Sequence, residues 1–172
     1  MLSRKAKHLA CKGRLEMKLY LVQHAKAASK DVDPQRPLTE EGRRDIQKVA
    51  AFIKSLNLSV DYLWHSGKKR AQQTAELLAE VIRVNKANVP HAGLGPNDDV
   101  TVLKDELVSG RQDIMIVGHL PFLPKLASLL LTGSESSNTV AFKQAGIVCL
   151  DYSDDNKWQL DWMIIPELFL EE

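Results

Sequence analysis

The chain has 172 residues, is 44% hydrophobic and 26% charged, and carries a formal net charge of +1. That length suits one domain with its own core, and the composition excludes a disordered polyelectrolyte and a collagen-like chain. No apolar run approaches the ~20 residues of a membrane helix, and two cysteines, Cys11 and Cys149, are too few for a secreted disulfide scaffold. A reducing cytoplasm is the expected compartment, and neither a membrane nor a nucleic acid is indicated as partner.

In chain order, residues 1–16 come first, as a basic N-terminal extension. Arg4, Lys5, Lys7, Lys12 and Arg14 stand against Glu16 alone, a balance of +4. The stretch has no apolar h-region, so it is not a secretory signal. A second methionine, Met17, directly precedes the first strand signal. The expectation is a flexible tail or a mis-called start, with the domain itself spanning 17–172.

Leu19–Val22 is a short apolar run of the kind a buried strand shows. A polar loop follows through Arg36, and Pro37 stiffens its end. Thr39 is a candidate N-cap, with Glu40 and Glu41 suited to the positive end of a helix. Ile46, Val49, Ala50, Ile53 and Leu56 line one face of that helix. Asp61–Trp64 reads as a second strand. A loop, Ser66–Lys69, leads into a helix expected over Arg70–Val84. An irregular stretch follows, Pro90–Pro96. Asp98 or Asp99 would cap a short helix carrying Val100, Leu103 and Leu107.

Ile114–Val117 is the strongest strand signal. Pro121 opens a helix through Leu131, and strands at Ile147–Asp151 and Trp158–Ile164 close the chain around a polar turn. The β-α-β-α order implies an α/β fold. The expected form is a three-layer sandwich with a largely parallel central sheet and antiparallel edge strands.

In such folds ligands sit at the carboxyl ends of the strands. His24 follows the first strand, Arg70 lies just beyond the second, and His119 follows the strongest. Singly, each has an ordinary explanation: a hydrogen-bonded structural histidine, or a solvated basic face. Together, at topologically equivalent positions, they suggest phosphate chemistry. Imidazole can act as a nucleophile and guanidinium binds phosphate through two parallel hydrogen bonds.

The segments around these residues resemble the histidine phosphatase superfamily. Leu21-Val22-Gln23-His24-Ala25-Lys26-Ala27 is similar to its opening Arg-His-Gly motif, and Arg36-Pro37-Leu38-Thr39-Glu40-Glu41-Gly42 to its Arg-Pro-Leu-Thr element. Ser66 to Ala75 resembles its Ser-Pro-x-x-Arg-Ala-x-Gln-Thr-Ala element, and Val117-Gly118-His119-Leu120-Pro121 its second-histidine motif. Order and spacing match the small, SixA-type branch of protein phosphohistidine phosphatases. The resemblance implies that His24 attacks phosphorus and becomes a phosphohistidine, while Arg70 and His119 hold the phosphoryl oxygens. Gln23, Lys26, Arg36 and Gly118 are then candidate phosphate- or substrate-binding residues. The implied substrate is a phosphohistidine-bearing protein or a phosphorylated small molecule. No metal and no cofactor are implied, in keeping with phosphoryl transfer that relies on positioning and charge neutralisation.

Gln23 stands where the family carries arginine, and Ala25 where it carries glycine. Gln23 keeps amide donors but loses the charge and the fork, a deficit of ~10–100-fold in rate if nothing compensates. Lys26 is placed to restore the charge. The stretch Pro90–Pro96 lacks the carboxylate with which phosphomonoester branches protonate an alcohol; His91, Asp98 and Asp99 are the nearby alternatives. A degenerate phosphate-binding module without turnover and a broader phosphomonoesterase are the competing expectations.

Overall fold

The structure, a computed structural model, describes residues 16–169. Apart from Glu16, the basic extension therefore lies outside the described residues. Strands β1 (Met17–Gln23), β2 (Ser59–His65), β3 (Arg83–Pro90), β4 (Ile114–Gly118), β5 (Ile147–Tyr152) and β6 (Trp158–Ile164) form one sheet in the order β3-β2-β4-β1-β5-β6. The first four run parallel, and β5 and β6 continue as an antiparallel edge. The α/β class, parallel centre and antiparallel edge are as the sequence indicates.

Alternation along the central strands builds two cores. In β1, Leu19 and Leu21 face one cluster while Tyr20 and Val22 face the other; in β4, Ile114 and Ile116 oppose Met115 and Val117 in the same way. The first cluster is closed by helices α3 (Val100–Gly110) and α4 (Phe122–Thr132). The second is closed by α1 (Glu40–Lys54) and α2 (Lys69–Ala79). Three layers result. None of the helices among the described residues is long and apolar enough to cross a membrane.

Two sequence expectations need correction. The second helix stops at Ala79 instead of running to Val84, and residues 83–90 form β3, a strand the sequence did not announce. The reason is position. β3 is an edge strand with no buried residue, so its segment, Arg-Val-Asn-Lys-Ala-Asn-Val-Pro, shows neither an apolar run nor clean alternation. Pro90 sits at its last position, where an edge strand tolerates it.

The caps follow the sequence more closely. Thr39 accepts the Gly42 amide at 3.0 Å, and Asp99 accepts the Thr101 amide at 2.8 Å. Asp98 instead accepts the Gly95 amide at 2.7 Å. Gly42 has a steric reason to be glycine: a Cβ there would lie 2.1 Å from the Lys26 carbonyl oxygen. The loop after β1 and the start of α1 are thus in backbone contact. They are joined further by Thr39 N–H donating to Lys26 O at 3.0 Å and Ala28 N–H to Pro37 O at 2.8 Å.

Candidate active site

Three neighbouring strands, β2, β4 and β1, end on one side of the sheet, and the residues that follow them meet there. His24 continues β1; its amide donates to Gly118 O at 3.1 Å, tying the ends of β1 and β4 together. His119 follows β4, and its ring centroid lies 5.0 Å from that of His24. Arg70 stands in the first turn of α2, and its Nε donates to His24 Nε2 at 3.2 Å. The three residues singled out from the sequence form one cluster.

The His24 tautomer follows from its partners. Nδ1 lies 2.7 Å from the Ala25 carbonyl oxygen, which can only accept, so Nδ1 carries the proton. Nε2 faces a guanidinium donor and keeps its lone pair. Burial, and then the charges of Arg70 and Arg36, push His24 down to about 4, against the raising effect of the Ala25 contact. His24 is therefore neutral at physiological pH, with its Nε2 lone pair accepting from the guanidinium. Burial pushes His119 down to about 3, helped by His24, Arg70, Lys68 and Arg36.

The walls around this cluster are positive. Neither α2 nor α4 carries an acid in its first turn, and both begin at the site, adding the positive ends of two helix dipoles. Arg36, in the left-handed region at φ 53°, is held by an Nε–H donated to Ala28 O at 3.1 Å, and its charge is felt at His24, Arg70 and His119. Two guanidinium charges thus stand beside two imidazoles.

The remaining sequence candidates fall elsewhere. Lys26 is exposed, and its ammonium is bound by the Glu41 carboxylate. Gln23 is buried with Oε1 unpartnered, and it lines a neighbouring pocket of about 340 Å³ with Lys26, Glu41 and Asp45. Arg36, not Lys26, brings a second cation to the histidines. Gly118 lies buried beneath the site, its carbonyl taken by the His24 amide. His91 is stacked on Trp64 at 4.1 Å, with its ring nitrogens against Ala92 O at 2.6 Å and Glu106 Oε1 at 3.0 Å.

Two residues that sequence reasoning passed over complete the arrangement. Thr74 is fully buried; its hydroxyl accepts the Ala25 amide at 3.1 Å and donates to Arg70 O at 2.7 Å. Ser66 Oγ lies 2.5 Å from His119 Nε2. Both lie in the motif around Arg70, whose spacing was the only available signal. The one group of side chains among the described residues able to hold a metal, Cys149, Asp151 and Asp161, lies towards the opposite end of the sheet. There the Lys18 ammonium already contacts the two carboxylates at 2.7 and 2.9 Å.

A test of the electrostatics is the titration of the two histidines. Carbon-detected NMR should place the His24 midpoint near pH 4 and that of His119 near 3, and bound vanadate should raise both, since an anion favours the imidazolium. Because both folded-state values lie below the ordinary value of 6.5, the unfolded chain takes up protons first as pH falls. Stability is therefore unaffected by these groups above pH 6.5 and falls on acidification, down to about pH 4 for His24 and about pH 3 for His119. Midpoints near 6.5 in the free protein would contradict the buried, cationic setting.

Comparisons with known proteins bear on the family and the fold. The model of the histidine phosphatase superfamily (branch 1) matches residues 19–91. An uncharacterized protein of Picosynechococcus sp. is 30% identical over 142 residues, covering 78% of this chain and 84% of its own. The phosphohistidine phosphatase SixA of Escherichia coli is 22% identical over 155 residues, covering 87% and 94%. Among solved structures, a protein histidine phosphatase SixA complexed with tungstate superposes with a TM-score of 0.77 at 21% identity, over 88% of this chain and 99% of that one. With the four motifs in order on a fold of this kind, the chain belongs to the histidine phosphatase superfamily as a SixA-type member.

Proposed function

We propose that the protein is a metal-independent, cytoplasmic phosphatase that removes the phosphoryl group from a phosphohistidine-bearing protein by way of a covalent intermediate on His24. The observation that carries this is the His24 imidazole, with Nδ1–H held by Ala25 O and an unprotonated Nε2 facing Arg70. The substrate's phosphoryl oxygens take over the Arg70 donors, freeing the lone pair. Nε2 attacks phosphorus, a new N–P bond forms, and the bond from phosphorus to the substrate's ring nitrogen breaks. The positive charge that His24 gains is delocalised to Nδ1–H, where the Ala25 carbonyl stabilises it. Arg70, Arg36 and His119 neutralise the charge spread over the equatorial oxygens. Water then cleaves the new N–P bond, releasing inorganic phosphate and restoring His24.

The proposed substrate class rests on the leaving group. A phosphohistidine already protonated on its second ring nitrogen departs as neutral imidazole without help. An alcohol needs a proton donor, typically worth ~10²–10⁴-fold. The acids named from the sequence are engaged by backbone amides, Asp98 by Gly95 in the loop and Asp99 by Thr101 as the helix cap, and His91 is pinned between Trp64, Ala92 and Glu106. The deciding experiment compares a phosphohistidine protein with p-nitrophenyl phosphate and a phosphoserine peptide, with His24→Ala as control. The expected order of kcat/KM is phosphohistidine, then the nitrophenyl ester, then phosphoserine, spanning at least ~100-fold. Preference for phosphoserine would favour the phosphomonoesterase, and vanadate binding without turnover of any of the three would favour a binding module.

A further inference from the structure

Ser66 closes β2 in a turn that leaves it little freedom. On one side His65 is buried and its Nδ1 accepts the Gly67 amide at 3.2 Å; on the other, Gly67 adopts φ +79°, a conformation that a residue with a Cβ rarely takes. The turn delivers Ser66 Oγ to within 2.5 Å of His119 Nε2. The contact joins the ends of two adjacent strands, β2 and β4, whose parallel register places His65 opposite Val117.

The direction of this hydrogen bond follows from the other ring nitrogen. His119 Nδ1 is buried and has no hydrogen-bond partner. A buried N–H without an acceptor forfeits a hydrogen bond outright, and orphaned donors are rarer in folded proteins than under-used acceptors. The ring proton therefore belongs on Nε2, where Ser66 Oγ accepts it. The hydroxyl proton of Ser66 has no acceptor among the described residues, and Ser66 is half-exposed. Ser66 Oγ thus offers an acceptor in front of the Nε2–H donor, as an anionic oxygen would.

We infer that Ser66 is a positioning residue for His119: its hydroxyl fixes the Nε2–H tautomer and the ring orientation, so that the donor is already aimed when a phosphoryl oxygen arrives. This rests on reading His119 as a phosphoryl-oxygen donor. Without Ser66, nothing among the described residues holds either ring nitrogen. The neutral ring is then free to exchange tautomers and to turn, and part of the population presents a lone pair to the phosphate. A preorganised donor costs no reorganisation during the reaction, whereas a freely turning one does.

The test uses Ser66→Ala and Ser66→Thr in the full chain. In Ser66→Ala, nitrogen-15 NMR of the free protein should show His119 passing from a single Nε2–H tautomer to a mixture. Its kcat should fall about 5–30-fold, the equivalent of one hydrogen bond, and vanadate should bind several-fold more weakly, at an unchanged melting temperature. Ser66→Thr retains the hydroxyl and should stay within about threefold of the parent. In the double variant, Ser66→Ala should add nothing to His119→Ala, because both remove the same interaction. An unchanged tautomer in Ser66→Ala would overturn the proposal, as would additive losses in the double variant or an inactive, well-folded Ser66→Thr. The NMR measurement needs no substrate. If no phosphohistidine turnover is found, the substrate reading fails while the coupling of Ser66 to His119 is still decided.

Discussion

His24→Ala is expected to lower phosphohistidine turnover by ~10⁴-fold or more, because it removes the atom that forms the covalent bond and no neighbour can replace it. His119 is the nearest imidazole, but its Nε2 is engaged by Ser66 and its Nδ1 is buried. Folding should be little affected. The contacts that tie the end of β1 in place are made by backbone groups, His24 N–H to Gly118 O and Ala25 N–H to Thr74 Oγ1, and both survive the substitution. The variant should melt within a few degrees of the parent. Phosphorus-labelled substrate should leave an alkali-stable, acid-labile label on the parent protein and none on the variant. Retention of more than about a tenth of the activity would exclude His24 as the nucleophile.

Arg70→Ala should cost ~10³-fold in kcat/KM, and Arg70→Lys should recover only a small part. Arginine presents two parallel donors to a phosphoryl group, whereas lysine offers a point charge on a flexible stem. The loss should exceed that of a single hydrogen bond because the guanidinium brings a full charge and two parallel donors to the phosphoryl oxygens. Arg36 supplies a second cation, so Arg36→Ala should give a smaller deficit, and vanadate affinity should follow the order parent, Arg36→Ala, Arg70→Ala. Equal kcat/KM for Arg70→Lys and the parent would show that charge alone suffices. Binding that falls without any change in kcat would remove Arg70 from the transition state.

The sequence displayed the buried centre of this fold clearly and its margin poorly. β1 and β4 are enclosed on both faces, so Leu19–Val22 and Ile114–Val117 stand out as unbroken apolar runs. β3 pairs only with β2 and has no fully buried residue, so its segment carries no clear burial signature and reads as a continuation of the preceding helix. The site divides in the same way. His24, Arg70 and His119 could be grouped because each follows a strand within a motif. The partners that set their chemistry could not, since Ser66 and His119 are 53 positions apart and Thr74 and Ala25 are 49 apart. Lys26 looked like the natural replacement for the arginine missing at Gln23, yet the first turn of α1 places Glu41 against it. Only three-dimensional proximity reveals that a surface acid has already claimed that charge.

The Thr74 hydroxyl has a consequence for motion. It receives the Ala25 amide and gives its proton to the Arg70 carbonyl, so the loop that holds the His24 ring and the turn that carries the guanidinium share one anchor. A displacement of α2 against the sheet is transmitted through this one hydroxyl to both segments, so the imidazole and the guanidinium are kept in register by a common support and not by two separate ones.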